Sequence, residues 1–323
     1  MKITSENNII IFIGIDPSIN STGLVLDCYR KEDDVLIPIK RSFYNIKGES
    51  TKKEQVAIDK YMNETKSIDR ILHIIKYDKL DANFYNRKNE HKDSIKFELY
   101  KTINIQKITK EIKCCIIRFC NSVSQQENKN PAFFELNVCI EANSFNSRGT
   151  SVSLIDLAGL NYTIRNMILQ LHGSQFAAQP NLMVTPPTEI KKFATGRGDA
   201  DKDLIEYVFK LHTDSLLYNI LKENNLDSFR GIKLDDVADA YFMCNYARKL
   251  WSDASSKQTS IELSEQNQSL VQSYIKTKAE AKHKEQQEKL AKQNHELMWD
   301  VEMESFANEL DLSSCVKKSE SNV

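Results

Sequence analysis

Apolar residues in this chain fall into short continuous runs and longer spaced stripes, and the two patterns predict different elements. Residues 8 to 16, Asn-Ile-Ile-Ile-Phe-Ile-Gly-Ile-Asp, form an unbroken β-branched run ending in an acid. Such a run suits a strand buried on both faces, with Asp16 at its C-terminal end. Pro17, Ser18, Asn20, Ser21 and Gly23 then supply turn chemistry, and Leu24 to Cys28 and Val35 to Ile39 read as two more strands. Three antiparallel strands are expected to open the chain. Phe133 to Glu141 is a second apolar run ending in an acid, and Leu182 to Thr185 is a shorter one stopped by Pro186-Pro187.

Helical spacing dominates elsewhere. Ile105, Ile108, Ile112, Ile116 and Phe119 recur at three- and four-residue steps within 100 to 123, which predicts an amphipathic helix needing a sheet to cover. Ser151 to His172 reads as a helix. Thr188 is placed to cap a short helix reaching about Ala194, and Gly196 and Gly198 break the chain before a helix from about 200 to 211. Val237 to Leu250 is the last helix of this region, with Asp236 and Asp239 at its start, where carboxylates complement the helix dipole.

Two stretches stand apart from this α/β pattern. Residues 46 to 100 are polar, with weak helical periodicity over 56 to 75, and read as an inserted lobe. Beyond Trp251 the chain turns to Lys, Glu, Gln, Ser and Ala, the composition of a solvated helix or disordered tail. The expected layout is one domain over 1–250, with its insertion at about 46–100, and a charged tail over 251–323.

Composition adds exclusions more than identity. The 323 residues are 41% hydrophobic and 28% charged, and 44 Lys plus Arg against 45 Asp plus Glu leave no overall basic excess to announce a nucleic-acid partner. Charge is therefore read locally. Residues 84 to 118 carry nine Lys or Arg against four acids, which marks either a DNA-tracking face or an ordinary solvated helix face. The tail, with 9 Lys against 13 acids, argues against a direct DNA role. Seven scattered cysteines without a C-x-x-C pair speak against zinc and against a disulfide framework. No N-terminal leader pattern is visible, and no stretch reaches the ~18 uncharged apolar residues of a membrane span. A cytoplasmic protein without a membrane partner is expected.

The chemistry lies in the acids. Two runs end in Asp16 and Glu141, and Asp236-x-x-Asp239 puts two more on one helix face. Carboxylates brought close together raise one another's pKa unless a cation neutralises them, and an all-oxygen set selects a hard ion, Mg²⁺ or Mn²⁺. With two ions ~4 Å apart, such a set suits phosphodiester hydrolysis. Taken singly, each acid has a plainer reading as a turn or helix cap.

Gly14-Ile-Asp-Pro-Ser-Ile-Asn-Ser-Thr-Gly23 resembles the first-strand motif of the RuvC-like Holliday-junction resolvases, within the RNase H-like (retroviral integrase) superfamily. Val138-Cys-Ile-Glu141 looks like their second acidic strand, and Asp236-Val-Ala-Asp-Ala240 is similar to the paired aspartates of their final helix. Pro187-Thr-Glu-Ile-Lys-Lys-Phe-Ala-Thr-Gly-Arg-Gly-Asp-Ala-Asp-Lys202 is similar to their lysine-bearing segment and glycine loop. The resemblance covers about residues 8 to 250. It implies a mixed five-stranded sheet flanked by helices, with Asp16, Glu141, Asp236 and Asp239 as ligands of two Mg²⁺ ions, Mn²⁺ substituting. It also implies that Lys191 and Lys202 meet the scissile phosphate, with Lys192 and Arg197 flanking them on the DNA.

Phe145 is the candidate for the aromatic wedge that the family drives into unpaired bases, with plain loop anchoring as the alternative. Asp235 competes with Asp236, and the family's spacing chooses Asp236, leaving Asp235 to solvent. The implied partner is branched DNA, four-way junctions above all, bound by a homodimer whose interface would be the helix over 151 to 172. The long insertion and the glycine loop point to a viral member acting where viral DNA replicates. The alternatives are a nuclease for flaps, other branched DNA or RNA/DNA hybrids, and an inactive DNA-binding scaffold. A sugar-kinase-like fold would need a second Gly-rich phosphate motif, which is not seen.

Overall fold

The expected antiparallel opening is present and longer than the apolar runs alone suggest: β1 (Ile9–Asp16), β2 (Ser21–Glu32) and β3 (Val35–Lys47). The computed structural model describes residues 8–33, 35–48, 50–64, 72–77, 94–142, 151–213, 234–254 and 269–293. Three more strands follow, β4 (Leu72–Lys76), β5 (Glu135–Glu141) and β6 (Asn181–Thr185). Together they form one mixed sheet in the order β4-β3-β2-β1-β5-β6. β5 lies parallel to β1, and β6 parallel to β5.

The fold is α/β, with six strands where five were expected. The extra strand comes from the polar insertion, whose weak periodicity over 56 to 75 resolves into helix α1 (Lys52–Glu64) and β4. Leu72, fully buried, and Ile75, packed on the core, give β4 enough apolar surface to extend the sheet beside β3, in parallel. A five-residue strand with only two such positions leaves little trace in a periodicity count.

Alternation along β1 divides the molecule. Ile9, Ile11, Ile13 and Ile15 enter a core shared with α2 (Ser94–Glu127) and α3 (Ser151–Leu169), where Ile108, Ile112, Ile116 and Phe119 form the expected stripe. Phe12, Gly14 and Asp16 face the opposite side, covered by α6 (Asp235–Ala254). Beside α6 sit α4 (Pro187–Thr195) and α5 (Lys202–Thr213), with Phe209 of α5 packed edge-on against Tyr241 at 5.2 Å. Thr188 does not cap α4. Pro186 holds the cap position and Pro187 the first turn, where a missing N–H costs nothing. Gly196 ends α4 in the left-handed conformation (φ 78°).

The chain divides into two compact units, Met1–Glu262 and Leu263–Val323. The described part of the second is a helix over 269–293, largely exposed and carrying a Lys289–Glu285 ion pair of 2.7 Å. Among the described residues no helix is long and apolar enough to cross a membrane.

Candidate active site

Sheet register brings the first two acids together. Ile15 pairs with Ile140 across parallel strands, so Asp16 and Glu141 end neighbouring strands at the same edge. The third and fourth acids arrive on α6, and two glycines decide how closely. A Cβ on Gly14 would stand 1.9 Å from the Ala240 carbonyl oxygen, and one on Gly23 would stand 1.9 Å from that of Asp236. Helix backbone therefore rests directly on strand backbone, which only glycine permits. That contact seats the first turn of α6, with Asp236 and Asp239, over the end of β1.

The result is a cavity of about 500 Å³ lined by Asp16, Glu141, Asp236, Asp239, Lys191 and Lys202. Six of the sequence candidates thus share one wall. Burial pushes Asp16 well above the ordinary carboxylate range, and repulsion from Asp239, Glu141 and Asp236 adds to it. Glu141 is raised by burial and held back by its hydrogen bond with Asp16 and by Lys191 and Lys202. Asp236 is pushed up to about 6, chiefly by burial and against a hydrogen bond from Ser21. Burial and then Glu141 push Asp239 up to about 7, with Lys202 opposing.

Burial is the leading cause at all four acids, and Lys191 and Lys202 only partly offset it at Glu141 and Asp239. Among the described residues no group of three His, Cys, Asp or Glu side chains is gathered in a form that could hold a metal ion as it stands. The donor chemistry nonetheless fits a hard divalent cation: four carboxylates, all oxygen, partly or fully buried, and short of countercharge.

The other candidates fall elsewhere. Asp235 does not line the cavity and is not left to solvent; Lys202 Nζ donates to its Oδ2 at 2.8 Å. Lys202 therefore reaches the cavity while leaning on a neighbouring acid, a pairing hidden from sequence because the partners lie on separate helices. Lys192 is exposed and outside the lining, and Arg197 forms a two-bonded pair with Asp199 at 3.1 and 2.9 Å. Phe145 lies outside the described residues.

Sequence reasoning missed Asn161. This α3 side chain is 2% exposed, lines the cavity, and donates from Nδ2 to the backbone carbonyl of Glu141 at 2.6 Å. Its one signal was a lone buried polar residue among Leu160, Ile164 and other apolar positions. It also missed a second buried charge cluster beneath α6, where Asp27 meets Arg41, the Tyr29 hydroxyl at 2.8 Å, and Arg248 at 3.9 Å. No protein-family model matches the chain, and no curated protein matches it.

Proposed function

We propose that this chain is a divalent-cation-dependent endonuclease of the RNase H-like superfamily, of the RuvC-like kind, that hydrolyses phosphodiesters in branched DNA, four-way junctions above all. One observation carries the reading: four acids from two parallel strands and one helix meet at one sheet end, with two lysines from separate helices in the same cavity wall. The strands β3-β2-β1-β5-β6 supply the mixed five-stranded core that the motif resemblance implies, with β4 as an addition.

Asp16, Glu141, Asp236 and Asp239 would hold Mg²⁺, most simply two ions, with Mn²⁺ substituting. Bound cations supply a lowered pKa for the attacking water and countercharge for the oxygens of the reacting phosphate. The protein's own part is to present Asp16, Glu141, Asp236 and Asp239 at one sheet end, where burial holds Asp16 and Asp239 above the ordinary carboxylate range. Lys191 and Lys202 bind the phosphate's oxygens and stabilise the added negative charge as water attacks phosphorus. The attacking water gives its proton to solvent as the new P–O bond forms, the ester P–O bond breaks, and the leaving oxygen takes up a proton from solvent. Burial of the acids excludes bulk water and strengthens each of these interactions.

A homodimer suits a two-fold symmetric junction. It is supported by the α3 residues Ile155, Tyr162 and Leu169, seven apart and 69%, 59% and 41% exposed. Cytoplasmic action at the site of viral DNA replication belongs to the same reading.

The test is cleavage of labelled four-way junctions, flaps, RNA/DNA hybrids and linear duplex in Mg²⁺, with Asp16→Asn and Glu141→Gln as controls. Paired nicks confined to junctions, lost in both variants, are expected. Cleavage that survives both substitutions overturns the site, and preference for flaps or hybrids overturns the substrate.

A further inference from the structure

Helix α1 and strand β4, the elements of the polar insertion, help to build a second cleft of about 560 Å³ that shares no lining residue with the acidic cavity. Alternation along β3 sends Lys40, Ser42 and Tyr44 to the α2 side of the sheet, while Arg41 and Phe43 go to the α6 side, where Arg41 meets Asp27. Register sets His73 of β4 beside Tyr44, and the two rings stack at 4.8 Å with 20° between their planes. Arg118, Phe119 and Ser122 of α2 close the cleft from the helix side. Its charge is one-sided. No acid is among the lining residues, and Lys40 Nζ donates to a neutral group, the Ser122 hydroxyl, at 2.6 Å. Arg118 is exposed at the rim, and among the described residues neither it nor Lys40 forms an ion pair.

We propose that this cleft binds a nucleoside phosphate: Lys40, Arg118 and the Ser122 hydroxyl take the phosphate oxygens, and the base lies against the ring wall of Tyr44, His73 and Phe119. The inference stands apart from the nuclease reading. A guanidinium fork and a compact ammonium are the two cationic groups suited to phosphate, and Ser122 Oγ, while accepting from Lys40, can still donate its own hydrogen. A bare inorganic anion would satisfy the cations and leave the rings unused. A planar base uses both, because every base offers a face to an aromatic wall. The volume falls within the roughly 300–1,000 Å³ of small-molecule sites. The chemistry is the same whether the nucleotide arrives free or as one unit of a single strand.

The experiment titrates dTMP, inorganic phosphate and a short oligothymidylate into the full-length protein by calorimetry, in EDTA so that no metal draws phosphate to the acidic cavity. Wild type is compared with Lys40→Gln and Arg118→Gln; the second alters an exposed side chain and is expected to melt with the wild type, which keeps the test open if the first does not fold. Losing a hydrogen bond between charged groups weakens binding by about 10–100-fold, and that fall in dTMP affinity is expected in both variants, with phosphate alone bound more weakly than dTMP. Oligothymidylate bound more tightly than dTMP, and weakened by the same substitutions, identifies a strand as the source; dTMP bound at least as tightly identifies the free nucleotide. Phosphate bound as tightly as dTMP overturns the nucleoside assignment. Affinity for dTMP unchanged by both substitutions, or a wild-type protein that binds neither dTMP nor oligothymidylate, overturns the inference and leaves the nuclease reading standing.

Discussion

Two clusters of buried charge lie under the same helix, and they are built on opposite rules. At Asp27 one carboxylate is matched by Arg41 and Arg248, both stacked over aromatic rings, and by the Tyr29 hydroxyl. At Asp16 four carboxylates converge, and among the described residues the cations in the cavity wall are two lysines, one of them tied to Asp235. The first cluster sets two cations around one acid and pins α6 to β2 and β3. The second gathers four acids beside two lysines, the arrangement that the proposed cation would complete. Close packing of like charge is costly in a folding unit and useful in a site.

Exchanging one acid in each cluster should separate the two roles. On the nuclease reading, Asp16→Asn is expected to reduce cleavage by at least about 10³-fold, because it removes a proposed cation ligand. Relieved repulsion means that it should melt no lower than wild type without metal. Asp27→Asn should do the reverse, losing about 3–5 kcal/mol of stability as two buried arginines lose their partner. Urea denaturation alongside a cleavage assay reads both; a stability loss in Asp16→Asn matching that of Asp27→Asn would erase the distinction.

Gly14→Ala moves the helix that both clusters share. The added methyl group meets the Ala240 carbonyl, so α6 must shift, at about 1–3 kcal/mol for overpacking. Cleavage should fall by more than this stability loss explains, since Asp236 and Asp239 ride on α6. Unchanged activity in a folded Gly14→Ala protein would show that the close seat does not set the site.

The acidic cluster should also announce itself through pH. Its acids have folded-state pKa values above the unfolded ones, so they favour the fold when protonated and lose that contribution as pH rises through about 6 to 7. In EDTA, melting should therefore rise by a few degrees between pH 8 and pH 5.5. Saturating Mn²⁺ should flatten the profile by supplying the absent charge. A profile indifferent to metal would place the pH effect elsewhere.

The smallest effect is expected at Asp235. Its pair with Lys202 is exposed on the lysine side, so Asp235→Asn should cost under about 1 kcal/mol and leave cleavage within about tenfold. Asp236→Asn should behave like Asp16→Asn, and equal effects at the two positions would contradict the assignment of Asp236 to the cavity.

The acids were legible in sequence because each sits where a local pattern stops: Asp16 and Glu141 at the ends of apolar runs, Asp236 and Asp239 at a helix start. β1, β5 and the α2 stripe were legible for the same reason, since burial repeats with the period of the element. The glycines marked a turn or motif, yet nothing local says that Gly14 meets Ala240. Asp27, Arg41 and Arg248 look like solvated charges until the strands pair. Asn161 and the Asp235–Lys202 pair depend likewise on elements distant in sequence, and such contacts leave no periodicity to read. β4 was missed through brevity.

The seating of α6 on β1 has a consequence for the order of synthesis. β1 leaves the ribosome early, whereas Asp236 and Asp239 follow Glu141 by about a hundred residues, on the order of 5–20 s of translation. Until then β1 and β2 lack the helix that covers them, and the nascent chain holds only half of its acids. On the nuclease reading, a chain truncated before α6 lacks two of the four cavity acids and is expected to be inert.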